Sequence, residues 1–180
     1  MKKKTFRSLV KLLQENQKCV IEKVLIDYKE QFETIPGSIT KHQAWVGGYK
    51  NHVEEVMNIA CLLYRNMNKA RQLPFSLSDA LFTLFCHDLD KLIAYQKKGE
   101  VYVRVLDHHS AAEAALTLIE QTYSYTLSFD EKNALHYVHG EGKDYHPTER
   151  IMGPLATFIH CCDVISARIW FDEGKDSKHW

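Results

Sequence analysis

The sequence predicts an all-α protein, a bundle of about six helices. Apolar residues recur at spacings of three and four along most of the chain, which is the period of a helix with one buried face. Only 8 glycines and 4 prolines occur in 180 residues, so few positions interrupt a helix. No repeat of fixed period and no low-complexity linker is present. Because this length is enough for one core, we expect a single domain over residues 1–180.

The N-terminal part predicts two helices. A long first helix is expected over residues 4–33. Its inward positions are apolar: Phe6, Leu9, Leu13, Val20, Val24 and Tyr28. Ile35-Pro36-Gly37 ends it, because proline has no amide hydrogen and glycine accepts the conformation of a helix end. After a loop, a second helix is expected over residues 49–69, with an apolar stripe at Val53, Val56, Ala60, Leu63 and Met67.

The middle of the chain begins with a capping signal. Ser76 and Asp79 resemble a capping box, which predicts the start of a third helix over residues 77–96. Residues 97–107 contain Gly99 and alternating apolar residues, so this stretch is either a short hairpin or a loop. A fourth helix, rich in alanine and leucine, is expected over residues 109–123.

The C-terminal part carries a second capping box at Ser128 and Glu131. It predicts a short helix that ends near Gly140. A polar loop then covers residues 140–153, and the last helix is expected over residues 154–171. Residues 172–180 are expected to form a loose tail.

The amino-acid composition argues against some classes of function and location. Lys plus Arg and Asp plus Glu number 23 each, and extended nucleic acid is usually bound through a basic excess. The five cysteines form no CxxC pair, which favours a reducing compartment. No run of 18 apolar residues is present, so no membrane span is expected. We therefore expect a cytoplasmic protein that binds neither a membrane nor extended nucleic acid.

Ten histidines in 180 residues suggest metal or acid–base chemistry. The third helix also carries a polar residue at a position that should be apolar. Asp88 takes the next place in the buried stripe after Leu84 and Phe85, and His87 is its neighbour. A buried carboxylate without a partner costs several kcal/mol, so Asp88 must be paired, protonated or bound to a cation.

Two other helices show the same conflict. His52 lies at the edge of the apolar stripe of the second helix, and Asp163 follows Ile159 by four residues in the last helix. Each of these residues alone has an ordinary alternative, a hydrogen-bonded core histidine or a salt-bridged aspartate. Together they favour a bound cation. Mixed imidazole and carboxylate ligands suit Mn, Fe, Co, Ni or Zn better than Ca or Mg alone.

The order of these residues resembles the HD superfamily of metal-dependent phosphohydrolases. Gly47–His52 is similar to that family's glycine pair before its first histidine, His87–Lys91 to its HDxxK motif, and Asp163 to its closing aspartate. The resemblance implies an HD-domain helical bundle with its metal-binding core over residues 42–170. It also implies that the metal is bound by His52, His87, Asp88 and Asp163. Lys91 would bind phosphate, and Asp88 would also orient the attacking water.

Two further segments extend the resemblance toward the HD domain of bacterial 3′–5′ exoribonucleases. His109 lies where two-metal HD enzymes carry a third histidine, and residues 135–141 resemble an HHGE segment in which Val138 replaces the first histidine. If His109 and His139 bind metal, the site holds two ions bridged by Asp88, and Mg is possible at the second position. Otherwise four ligands hold one ion.

The resemblance implies hydrolysis of a phosphate ester of a small nucleotide by a metal-activated water. One alternative is a two-metal phosphodiesterase that cleaves a cyclic nucleotide or the 3′ end of an oligonucleotide. The other is a non-catalytic module that binds a nucleotide or a partner. A homo-oligomer is also possible, with the long first helix as a candidate interface.

Overall fold

The protein is mostly helical, which confirms the predicted class. The computed structural model describes residues 3–170, so the predicted tail over 172–180 and the last residue of the predicted final helix lie outside them. The α-helices are α1 Phe6–Val10, α2 Glu15–Asp27, α3 Lys29–Thr34, α4 Gly48–Ala70, α5 Leu77–Cys86, α6 Asp90–Ala94, α7 His108–Thr117, α8 Phe129–Tyr137 and α9 Pro154–Arg168. Short π and 3₁₀ segments cover Leu118–Thr122 and Gly142–Asp144.

The prediction of one helix over residues 4–33 is wrong, because this segment forms α1, α2 and α3. A straight helix of that length would extend about 45 Å, beyond the diameter of a small domain. The first break is stabilised from outside the segment, since the Gln14 amide donates to Ser78 Oγ of α5 at 2.8 Å. The second break, at Tyr28, lets Phe32 of α3 enter the core, where its ring lies 5.1 Å from that of Phe6.

The glycine pair before α4 has a steric explanation. Gly47 adopts a left-handed conformation with φ of 79°, which glycine accepts without strain. A Cβ on Gly48 would lie 1.8 Å from the carbonyl oxygen of Gln43. The loop over residues 36–47 can therefore pack tightly onto the first turn of α4, directly before His52.

The predicted third helix over residues 77–96 is interrupted. It begins as expected at the Ser76–Asp79 capping box, but α5 ends at Cys86 and α6 begins at Asp90. Between them the Leu89 amide donates to the Cys86 carbonyl at 3.1 Å, a spacing of three that marks a tight 3₁₀-like turn. His87 and Asp88 lie in this turn.

Residues 97–107, for which the sequence allowed either a short hairpin or a loop, belong to a hairpin. Strands β1, Tyr95–Lys98, and β2, Val101–Arg104, pair antiparallel with Tyr95 opposite Arg104. β1 takes the last two residues of the predicted third helix. Arg104 bonds to Asp90 of α6 at 2.5 Å, which holds the hairpin against the turn that carries His87.

The remaining elements lie close to their predicted bounds. Asp107 caps α7, and the second capping box opens α8 through Ser128 and Glu131. Helix α9 packs against α4 and α8. The buried apolar side chains form one core cluster to which all of these helices contribute. Within residues 3–170, none of the helices combines the length and apolarity needed to cross a membrane.

Candidate metal centre

Four side chains from three parts of the chain meet inside the bundle. His52 Nε2 lies 3.3 Å from His87 Nε2 and 3.2 Å from Asp163 Oδ1. Asp88 Oδ2 lies 3.3 Å from His87 Nε2 and 3.6 Å from His52 Nε2. All four residues are buried. The structure therefore places His52 of α4, His87 and Asp88 of the turn after α5, and Asp163 of α9 around one point.

The group formed by His52, His87 and Asp163 can hold a metal ion, since one ligand atom from each lies within 4.8 Å of the others. Ligand atoms that share one transition-metal ion at about 2.0–2.2 Å lie roughly 3.0–3.5 Å apart. The separations of 3.2 Å, 3.3 Å and 3.7 Å among these three residues are close to that range. Little movement is needed for them to share an ion.

Both histidines are oriented by the ring nitrogen that faces away from the cluster. His87 Nδ1 donates to the Leu84 carbonyl at 2.7 Å, and His52 Nδ1 lies 3.1 Å from Ser166 Oγ. Histidines that bind metal commonly use the second nitrogen in this way, because the bond fixes the tautomer and the ring orientation. The Nε2 atom of each ring thereby faces the carboxylates of the cluster.

A chain of buried polar groups supports His52. Ser166 Oγ donates to Glu55 Oε2, so the same oxygen accepts from His52 Nδ1–H. Gln43 donates to Glu55 Oε2 at 2.9 Å and lies 3.3 Å from Ser166 Oγ. Sequence reasoning missed the roles of Gln43 and Glu55 and assigned none to Ser166. The spacing along the chain could have identified Glu55 and Ser166. Glu55 follows His52 by three residues, and Ser166 follows Asp163 by three, so each lies about one helical turn from a candidate site residue.

Lys91 is buried beside Asp88 and not exposed on the helix surface. Its ammonium donates to Asp88 Oδ2 and to the Gly37 carbonyl, both at 2.6 Å. These contacts use two of its three N–H donors. Lys91 thus connects this cluster of side chains to the loop before α4 and supplies positive charge at Asp88.

The charges of the cluster depend on one another. Burial opposes ionisation of Asp88, but Lys91 and His87 outweigh it and hold its pKa well below the usual range. Burial lowers the pKa of His52 to about 4. Burial also acts to lower the pKa of His87, but Asp88 and Asp163 outweigh it and raise that pKa to about 9. Without metal, His87 therefore carries the proton between the two imidazoles, and a bound cation would replace that proton.

His139 and His109 occupy a more open position. His139 Nδ1 lies 3.6 Å from Asp163 Oδ2, and its side chain is 70% exposed. The turn before His139 is held by His160, whose Nδ1 donates to the Val138 carbonyl at 2.6 Å. His109 is 83% exposed and lies 3.7 Å from Glu113. The structure thus brings His139 to the edge of the cluster, whereas His109 pairs with Glu113 of the same helix.

A cleft of about 770 Å³ opens beside the cluster. His87, His109 and His139 all line it, so the two exposed histidines share one open space with the buried His87. The imidazole of His42, from the loop before α4, packs against that of His52, with ring centroids 4.7 Å apart. The cluster is therefore closed toward the loop before α4 and open toward α7 and α8.

Comparisons of the chain with protein-family models, with curated proteins and with solved structures found no match.

Proposed function

We propose that this protein is a metal-dependent phosphohydrolase that hydrolyses a phosphate ester of a nucleotide, and that it belongs to the HD superfamily. The observation that carries the proposal is the buried group of His52, His87 and Asp163, with both imidazoles oriented through Nδ1. His52, His87, Asp88 and Asp163 would hold the ion. Two imidazoles with carboxylate oxygens favour Mn, Fe, Co, Ni or Zn over Ca or Mg.

A divalent cation at this position supplies Lewis acidity and a water whose pKa is lowered toward neutrality. The chain's own groups supply orientation and charge. Asp88 lies beside His87, which lines the cleft, and can orient an attacking water. Lys91 has a third N–H donor beyond those used for Asp88 and Gly37, and it can bind a phosphate oxygen and stabilise charge in the transition state.

A two-metal phosphodiesterase is the second candidate, because His139 approaches Asp163 at 3.6 Å and His109 lines the same cleft. His109 and His139, together with Asp88 or Asp163, would hold the second ion. Two ions about 3.5–4 Å apart are suited to in-line attack on a phosphodiester. The number of metal ions per chain separates this candidate from the first.

The experiment loads the protein with Mn, Fe, Co, Ni, Zn or Mg and measures metal content and hydrolysis together. The substrates are nucleoside mono- and triphosphates, a cyclic nucleotide and a short oligonucleotide. We expect one or two ions per chain and turnover that Asp88→Ala abolishes while the protein stays helical. Asp130→Ala, at an exposed aspartate of α8, is the matched control and should keep its activity.

The outcomes separate the function classes. Metal binding without turnover of any of these substrates would favour the non-catalytic module. Unchanged turnover in Asp88→Ala would contradict the phosphohydrolase. One ion with turnover of monoesters or triphosphates supports the first candidate, and two ions with turnover of diesters support the second.

A further inference from the structure

The cleft beside the cluster has two chemically different ends. Helices α7 and α8 form its walls. One end is rich in histidine, with His87, His109 and His139 among its lining residues. The other end is lined by Leu116, Ile119 and Phe129. A ligand that fills the cleft must therefore present a polar group at one end and an apolar group at the other.

Phe129 is the most exposed large hydrophobic side chain among the described residues, at 82%. It begins α8, whereas His139 follows the end of that helix at Tyr137. Tyr137 is eight positions after Phe129, which corresponds to about 12 Å along the helix axis. Phe129 thus lies one helix length from the histidine end of the same cleft.

We infer that this apolar end binds the nucleobase of the nucleotide substrate, and that the Phe129 ring is the surface on which the base stacks. The inference rests on the proposed function, which puts the phosphate at the other end. Aromatic side chains bind bases by stacking, whichever base is present, because every base has a π-face.

Size supports a nucleotide as the occupant. Pockets for organic ligands measure about 300–1,000 Å³, and this cleft of about 770 Å³ falls within that range. A sugar phosphate or a nucleoside monophosphate bound at the histidine end would leave Phe129 in water, because neither spans the length of α8, about 12 Å. A nucleoside triphosphate is long enough to place its terminal phosphate at the histidine end and its base on Phe129. The apolar end also has a polar edge, where Lys132 and Glu120 pair at 2.8 Å and offer a donor and an acceptor to a base.

The test compares ligands with and without a base. ATP carries a base at the end of an extended triphosphate, whereas inorganic tripolyphosphate has none. In Phe129→Ala we expect KM for ATP to rise roughly 5- to 150-fold with kcat unchanged, because stacking on one aromatic ring contributes that much affinity. Hydrolysis of tripolyphosphate should not change. Phe129→Tyr should restore the KM, and Ile26→Ala, at an exposed apolar side chain of α2, is the matched control.

Binding of ATP and tripolyphosphate to the metal-loaded protein, measured by calorimetry, separates this inference from the proposed function. If nothing is hydrolysed but ATP binds more tightly than tripolyphosphate, and only while Phe129 is present, the subsite stands and the proposed function fails. If nucleotides are hydrolysed and Phe129→Ala changes neither KM nor ATP binding, the subsite is overturned alone. Dissociation of an oligomer by Phe129→Ala, with KM unchanged, would also overturn it and assign the ring to an interface between copies.

Discussion

The two sides of the cluster use the same residue type in opposite ways. His52 and His87 are buried, and each ring has a partner for its Nδ1. His109 and His139 are 83% and 70% exposed, and they face an open cleft. The side with His52 and His87, the closed side, therefore holds its side chains in a fixed geometry. The side with His109 and His139, the open side, can admit a ligand.

This contrast follows from the energetics of burial. A buried imidazole or carboxylate loses hydration and is stable only when each polar atom has a partner. Removing one member of the closed side therefore leaves other buried groups without compensation. An exposed histidine is hydrated in any conformation, so its removal changes little unless a ligand binds there.

The largest effect is expected for Asp163→Ala. This substitution removes a carboxylate that contacts both buried imidazoles and leaves the charge of His87 with Asp88 as its remaining carboxylate partner in the cluster. We expect at least a hundredfold loss of metal affinity and no detectable hydrolysis. Metal content after dialysis, measured by mass spectrometry, checks this. Equal metal content in Asp163→Ala and the parent protein would break the comparison between the two sides.

A smaller loss is expected for Ser166→Ala, which removes the hydroxyl between His52 and Glu55 without touching an ion. Loss of such an orienting partner typically lowers metal affinity by about 10- to 100-fold. Titration with a competing chelator measures this affinity. Ser8→Ala, at an exposed serine of α1, should leave the affinity unchanged, and an equal loss in both variants would remove the orienting role.

The pH dependence of metal binding tests the closed side in a third way. The pKa of His87 is raised to about 9 and that of His52 is lowered to about 4, so at pH 7 only His87 must lose a proton when metal binds. We expect release of about one proton per ion at neutral pH, falling toward zero above pH 9. Affinity should rise with pH over this interval and then level off.

The same raised pKa affects the metal-free protein. A protonated His87 stabilises the fold below its unfolded pKa of about 6.5, and this contribution is lost as the pH rises through about 9. Calorimetry in buffers of different ionisation enthalpy measures the released protons. No proton release at pH 7 would mean that His87 is already neutral, and the assignment of the proton to it would be wrong.

The smallest effect is expected for His109→Ala. Because this side chain is 83% exposed, its removal should change the free energy of unfolding by less than about 0.5 kcal/mol. Urea denaturation of the metal-free protein checks this, with His52→Ala as the destabilised reference. A fall from two bound ions to one in His109→Ala would assign this side to a second metal, whereas a large loss of stability would contradict its open character.

Local sequence signals predicted much of the helical framework. The capping boxes at Ser76–Asp79 and Ser128–Glu131 both mark true helix starts, because capping depends on residues three positions apart. Neither break within residues 4–33 has a typical N-cap residue, since the N-caps are Gln14 and Tyr28, although Gln14 and Gln17 pair as a capping box at the first break. The first depends on Ser78, which is 64 residues away from Gln14, so helical periodicity predicted one continuous helix where the tertiary contacts require three.

For the candidate site, polar residues at apolar positions were informative. Asp88 and Asp163 conflict with the hydrophobic stripes that contain them, and a conflict of this kind indicates a buried partner. Neighbours in the chain could not identify the partners. Ser166 is 114 residues from His52, and Gln43 reaches the cluster only because Gly48 admits its carbonyl at close range.

By itself, the sequence determined the helical class and which polar residues had to be compensated inside it. These properties depend on hydrophobic period and on the cost of burying charge, and both can be read along the chain. Only the tertiary structure decided that His52, His87 and Asp163 share one point, that a turn at residues 87–89 aims two of the cluster's side chains inward, and that His109 stays exposed. Those outcomes depend on distances between helices, and packing sets these distances.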